Sequence, residues 1–213
     1  MLEALLHRQR LYSRAEVLSR PCPVPSASGI YAWFFREVPP AVPIDDCETR
    51  DGLTLLYVGI SPDKKGKPNS RSNLKIRIQN HFRGNAEGST LRRTLGVLLS
   101  EKSAFPLTRV GSGRRMTFTH AGEQCLDQWM NDNAFVSWIV HPIPWELEDE
   151  MIQRLSLPLN IRGNENHPFV PLLKSLRSSA IKNAREMPIA DESSQTRTYA
   201  KRNRSASPTL RIF

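Results

Sequence analysis

Cysteine is scarce: the 213 residues hold three, Cys22, Cys47 and Cys125, odd in number, far apart and without a Cys-x-x-Cys pair. That excludes a disulfide framework and a thiolate zinc or redox motif, and leaves all three as structural residues. Long apolar runs are also missing, and none approaches the ~20 residues that a bilayer-spanning helix needs. The opening MLEALLHRQR carries Glu3 and reaches basic residues within its first ten positions, unlike a secretory leader. The expectation is a cytoplasmic protein with no membrane partner. Acidic residues are the minority charge, 21 against 30 Lys and Arg, which gives +9 at pH 7 and points to an acidic partner such as a polyanion.

The basicity is segregated. Residues 61–115 hold 13 Lys/Arg and three acids, and residues 171–213 hold nine and three, so the remaining chain is net acidic. A polyanion groove beside an acidic site fits that asymmetry, and so does a set of basic loops and helix faces that only meet water.

Ser13-Arg14-Ala15-Glu16 has the form of a capping box and predicts a short helix ended by Pro21. Gly29–Phe35 and Leu53–Val58 are apolar, β-rich runs that predict two antiparallel strands, and Ala134–Val140 predicts a third. Leu74, Ile76, Ile78 and Phe82 mark a helix that puts Arg77 and His81 four apart on one face. Further helices are expected from Ser89-Thr90, over Gly122–Asn131, from Pro144 with Glu146, Glu148, Asp149 and Glu150 early in it, and around Pro171–Arg185. The expected fold is α+β: a small, mostly antiparallel three-stranded sheet flanked by helices. Residues 1–26 form an N-terminal segment, 27–186 a domain with insertions at 36–52 and 84–133, and 187–213 a disordered basic tail.

Tyr31, Tyr57, Arg77, His81, Glu148 and Asn160 each have an ordinary reading alone, as half-buried strand tyrosines, solvated helix residues, a dipole-compensating carboxylate and a turn asparagine. In order and spacing they form a pattern. Gly29-Ile30-Tyr31, Tyr57-Val58-Gly59, the Arg77/His81 helix, the helix of Glu148 and the Pro158-Leu159-Asn160 segment together resemble the GIY-YIG endonuclease family. The likeness covers about 60% of the chain; the chain departs from it in Val58, where the second motif has Ile, and in long insertions.

The resemblance implies DNA phosphodiester hydrolysis at a single-metal site. Glu148 would be the ligand of Mg²⁺ or Mn²⁺, although Glu146 and Glu150 stand close by. Arg77 would clamp the scissile phosphate, and Tyr31 with His81 would form the base pair. Tyr57 would position phosphate, and Asn160 would orient the end of the glutamate helix or the metal's surroundings. Arg83, Ser89, Arg92, Arg93, Arg114 and Arg115 are candidate nucleic-acid contacts, Ser89 through the helix N-terminus that follows it. One site per chain implies sequential nicks or a homodimer for a double-strand break. Two other readings stay open: a noncatalytic nucleic-acid-binding module, and a nuclease for RNA or single strands, with Trp33, Phe34, Phe35 and Trp129 as stacking platforms or core.

Overall fold

Ser13 accepts a bond from the Glu16 backbone while the Glu16 carboxylate returns to the Ser13 N–H, so the predicted capping box starts a one-turn helix. The computed structural model describes residues 3–62 and 72–192. A π-helical turn (Ala4–Arg8) precedes β1 (Tyr12–Ser13), α1 (Arg14–Val17), β2 (Gly29–Phe35), β3 (Thr49–Arg50) and β4 (Leu53–Ser61). Then come α2 (Leu74–Arg83), α3 (Thr90–Leu98), α4 (Ser100–Ser103), β5 (Thr108–Val110), β6 (Arg115–Thr117), α5 (Thr119–Asn133), β7 (Ala134–Val140), α6 (Pro144–Arg154) and α7 (Val170–Glu186).

All seven residues of β2 are buried because it lies at the centre of a sheet covered on both faces. Tyr31, Trp33 and Phe35 point into a core built with α2, α3, α5 and α7. Ile30, Ala32 and Phe34 point into a second core with the π-helical turn and α6. Trp33, Phe34 and Phe35 are therefore core residues, at most 1% exposed, and offer no stacking platform. The register between β2 and β4 slips between Trp33 and Phe34, making Leu56 an extra residue that shares its face with Tyr57.

The expectation of three strands is corrected. The main sheet has five, in the order β1-β7-β2-β4-β3, and β5 and β6 form a separate hairpin. β1 and β3 are two-residue strands held by pairing to Phe135/Val136 and to Leu53/Thr54, too short to carry a period. The expected tail boundary at 187 also shifts: the Ala190 N–H donates to the Arg109 carbonyl beside β5, and the His120 N–H donates to Glu192. The rest of the expected tail, 193–213, lies outside the described residues.

Arg92 ties the helices together. Its fully buried guanidinium donates to Glu123 Oε2 and to Asp127 Oδ1, both at 2.6 Å, and to the His81 and Phe82 carbonyls at 3.3 and 3.2 Å. Arg14 joins from α1, reaching Asp127 and the Phe82 carbonyl at 3.1 Å each. The network holds the last turn of α2, where His81 sits. Arg92→Ala would leave the nearly buried Glu123 without its cation and Asp127 with Arg14 alone, and is expected to cost about 3–5 kcal/mol in urea unfolding. A loss below about 1 kcal/mol would contradict this role.

Candidate active site

Gly59 lies directly across from Tyr31 in the β2–β4 ladder. A Cβ at Gly59 would stand 2.6 Å from the Tyr31 hydroxyl and 2.8 Å from its Cζ, so the bare backbone there is what gives the ring its place. Gly29 is constrained in the same way, since a Cβ would fall 2.2 Å from the Ile139 carbonyl oxygen on β7. Both motif glycines thus answer to close approach within the sheet.

The Tyr31 hydroxyl is a meeting point. It lies 2.9 Å from His81 Nε2 and accepts from Arg77 Nε at 3.4 Å. The one-turn spacing of α2 brings both groups onto it, with Asn73 capping the helix start. His81 has no exposed surface, and its Nδ1 lies 2.7 Å from Ser89 Oγ, so both ring nitrogens are engaged. Burial pushes the His81 pKa well below the usual value, and the Arg77 and Arg92 charges lower it further. Burial likewise raises Tyr31 well above the ordinary phenol value, aided by Tyr57 and opposed by Arg77. Tyr57, partly buried, is also raised by burial, against the pull of Arg77. At neutral pH the Tyr31–His81 pair is a neutral phenol against a neutral imidazole.

Tyr31, Tyr57 and Arg77 share a cleft of about 670 Å³ with Glu148, Asn160, Thr90, Arg162 and Arg177. Glu146 and Asp149 also line it, whereas Glu150 forms an ion pair with Arg154 at 2.7 Å. Glu148 is the carboxylate that lies within electrostatic reach of both tyrosines. A second, apolar pocket of about 180 Å³ lies among α3, α4 and α5 and contains none of these groups.

The Asn160 side chain, expected at the end of the glutamate helix or around the metal, lines the cleft while its amide bonds β4. Its Oδ1 accepts from the Val58 N–H and its Nδ2 donates to the Val58 carbonyl, each at 2.9 Å. The amide thus stands in for a neighbouring strand at the outer edge of β4, where the Leu159 N–H also donates to the Leu56 carbonyl. It holds the strand between Tyr57 and Gly59.

The six expected nucleic-acid residues fare unevenly, and none lines the cleft. Two are corrected. Arg92 is consumed by its buried carboxylates, and Ser89, also without exposed surface, caps α3 through the Arg92 N–H while touching His81. Arg93 donates to the Ala86 carbonyl and to Glu87. Arg83, Arg114 and Arg115 are exposed, the first bonded to Gln79 and the others at the turn of the β5–β6 hairpin. The sequence reading missed Thr90, Arg162 and Arg177, and no local pattern marks the two arginines as cleft residues. No helix among the described residues is long and apolar enough to cross a membrane.

A family model for the GIY-YIG catalytic domain matches residues 29–179, more than two thirds of the chain. The chain belongs to the GIY-YIG family. That supports nuclease function in general. No curated protein and no solved structure matches it. The family match takes in Tyr31, Tyr57, Arg77, His81, Glu148 and Asn160 together with Arg177.

Gly59→Ala is expected to cost about 1–3 kcal/mol through the clash with Tyr31. On a Tyr31→Phe background, which lacks the nearest atom, the cost should be smaller. Urea unfolding of the four proteins measures both values, and equal costs would contradict the clash.

Proposed function

We propose that the protein is a divalent-metal-dependent endonuclease that hydrolyses DNA phosphodiester bonds in one step. The observation that carries the reading is the convergence of Arg77 and His81 on one buried tyrosine hydroxyl, in a cleft that also holds Glu148.

The donor set fits a hard ion. Among the described residues no three His, Cys, Asp or Glu cluster as a multi-ligand site, so a zinc-type cage is not what these residues offer. A lone carboxylate, Glu148, suits Mg²⁺ or Mn²⁺, which keep waters and take substrate phosphate oxygens. When bound, such an ion supplies charge neutralisation at the nonbridging oxygens and at the leaving 3′ oxygen.

The chain's own residues supply the rest. Arg77 grips the scissile phosphate and opposes the charge that grows on it. Tyr31 takes a proton from the attacking water while passing its own to His81 Nε2, and the 3′ oxygen leaves as the new P–O bond forms. A relay of this kind never requires a free tyrosinate, which the raised Tyr31 pKa disfavours. It requires Nε2 to be the acceptor, so Nδ1 carries the imidazole proton and donates it to Ser89 Oγ. Burial makes the resulting imidazolium costly; a phosphate on Arg77 offsets the stronger of the two arginine charges that depress His81 and raises its basicity when substrate is present. Tyr57 positions the phosphate, and Asn160 holds its strand.

Supercoiled plasmid, circular single-stranded DNA and RNA, each incubated with Mg²⁺ or EDTA, test the activity and its substrate. Cleavage of plasmid with Mg²⁺ alone is expected, and full activity in EDTA would overturn the metal assignment. Glu148→Gln is expected to abolish cleavage while DNA binding persists. In single-turnover assays Tyr31→Phe should lose about 10²–10⁴ in rate, the usual worth of a proton-transfer group. Tyr57→Phe should lose only about tenfold, as for one positioning hydrogen bond. The reverse order would move proton transfer away from Tyr31.

A further inference from the structure

We infer that Arg177, on α7, binds a phosphate of the substrate strand beside the one that is cut. The inference rests on the endonuclease reading and adds a contact on the side of the cleft formed by α3 and α7.

Arg177 lines the cleft with Tyr57, Thr90 and Arg162, and it is half-buried. Among the described residues no carboxylate, carbonyl or hydroxyl accepts a bond from its guanidinium. The arginines of α3 are treated differently: Arg92 has Glu123 and Asp127, and Arg93 has Glu87. Arg177 instead faces a like charge. Burial lowers its pKa and nearby Arg93 lowers it further, against the opposite pull of Tyr57, so the cation is held where water is short. Such a placement is unfavourable in the empty cleft and becomes favourable once an anion enters.

The form of the side chain selects the anion. A planar guanidinium presents parallel N–H groups that match two phosphate oxygens. Arg77 bonds the Tyr31 hydroxyl from α2, whereas Arg177 enters the cleft from α7, beside Thr90 and Thr94 of α3. The two arginines therefore hold different phosphates, Arg77 the scissile one and Arg177 a neighbour. Two fixed phosphates set the direction of the strand through the cleft, which one cannot do.

The test is binding of the full chain to a labelled DNA duplex in EDTA, by fluorescence anisotropy over a salt series. Arg177→Ala and Arg177→Gln, the latter keeping much of the stem's packing, are compared with wild type and with Lys174→Gln, an exposed charge on the same helix outside the cleft. Loss of one phosphate contact should lower affinity about tenfold and make the slope of log K against log salt shallower by about one. Lys174→Gln should change the slope far less, and the melting temperature of Arg177→Gln should match wild type. An unchanged slope in both Arg177 variants, or an equal change in Lys174→Gln, overturns the inference. Plasmid cleavage by wild type together with an unchanged slope removes the Arg177 contact and leaves the nuclease reading standing. An Arg177-dependent slope in a protein that cuts nothing does the opposite.

Discussion

The hydroxyl of Tyr31 is the atom on which the architecture converges. A phenol oxygen at the centre of a sheet needs room, partners and a fixed backing, and each comes from a different part of the chain. Room comes from Gly59, whose missing Cβ is replaced by the tyrosine ring. Partners come from α2, which delivers Arg77 and His81 one turn apart. The backing comes from Trp33, whose ring packs edge-on against both His81 and Phe82. Disturbing any one of these moves the same oxygen.

Two polar devices keep that arrangement fixed. The Arg92–Glu123–Asp127 network grips the carbonyls of His81 and Phe82 and so sets where α2 ends. The Asn160 amide completes the outer edge of β4 at Val58, between Tyr57 and Gly59. Both devices join segments far apart in sequence, which makes the cleft a product of the whole fold.

What could be read from the sequence follows the strength of local signals. β2 and β7 stand where their apolar runs put them, and α2 begins at Leu74 after its Asn73 cap. β1 and β3 could not be seen, because two residues carry no period and their pairing partners are distant. Among the site residues, Tyr31, Arg77 and His81 come together as their motif spacing indicates. Two other arginines resisted the reading: Arg92 and Arg177 both sit on helices, and only the packing of α3 against α5 and α7 decides which is buried in carboxylates and which faces the cleft. Ser89 stands at the expected start of α3, but its cap on the Arg92 N–H takes the place of the expected nucleic-acid contact, and its contact with His81 depends on how α3 docks on α2. Asn160 was found through its motif, with a role that only the strand edge reveals.

Electrostatics gives the central claim its test. A proton can pass from Tyr31 only to an imidazole that is neutral and has its proton on the other nitrogen. Burial of His81 supplies the first condition, and Ser89 Oγ offers the place for the second. An NMR titration of the ¹⁵N-labelled full chain, following the two ring nitrogens of His81, observes both. The account predicts a neutral ring protonated at Nδ1 at pH 7, with a midpoint well below 6.5. A ring protonated at Nε2, or a midpoint at or above 6.5, would contradict it.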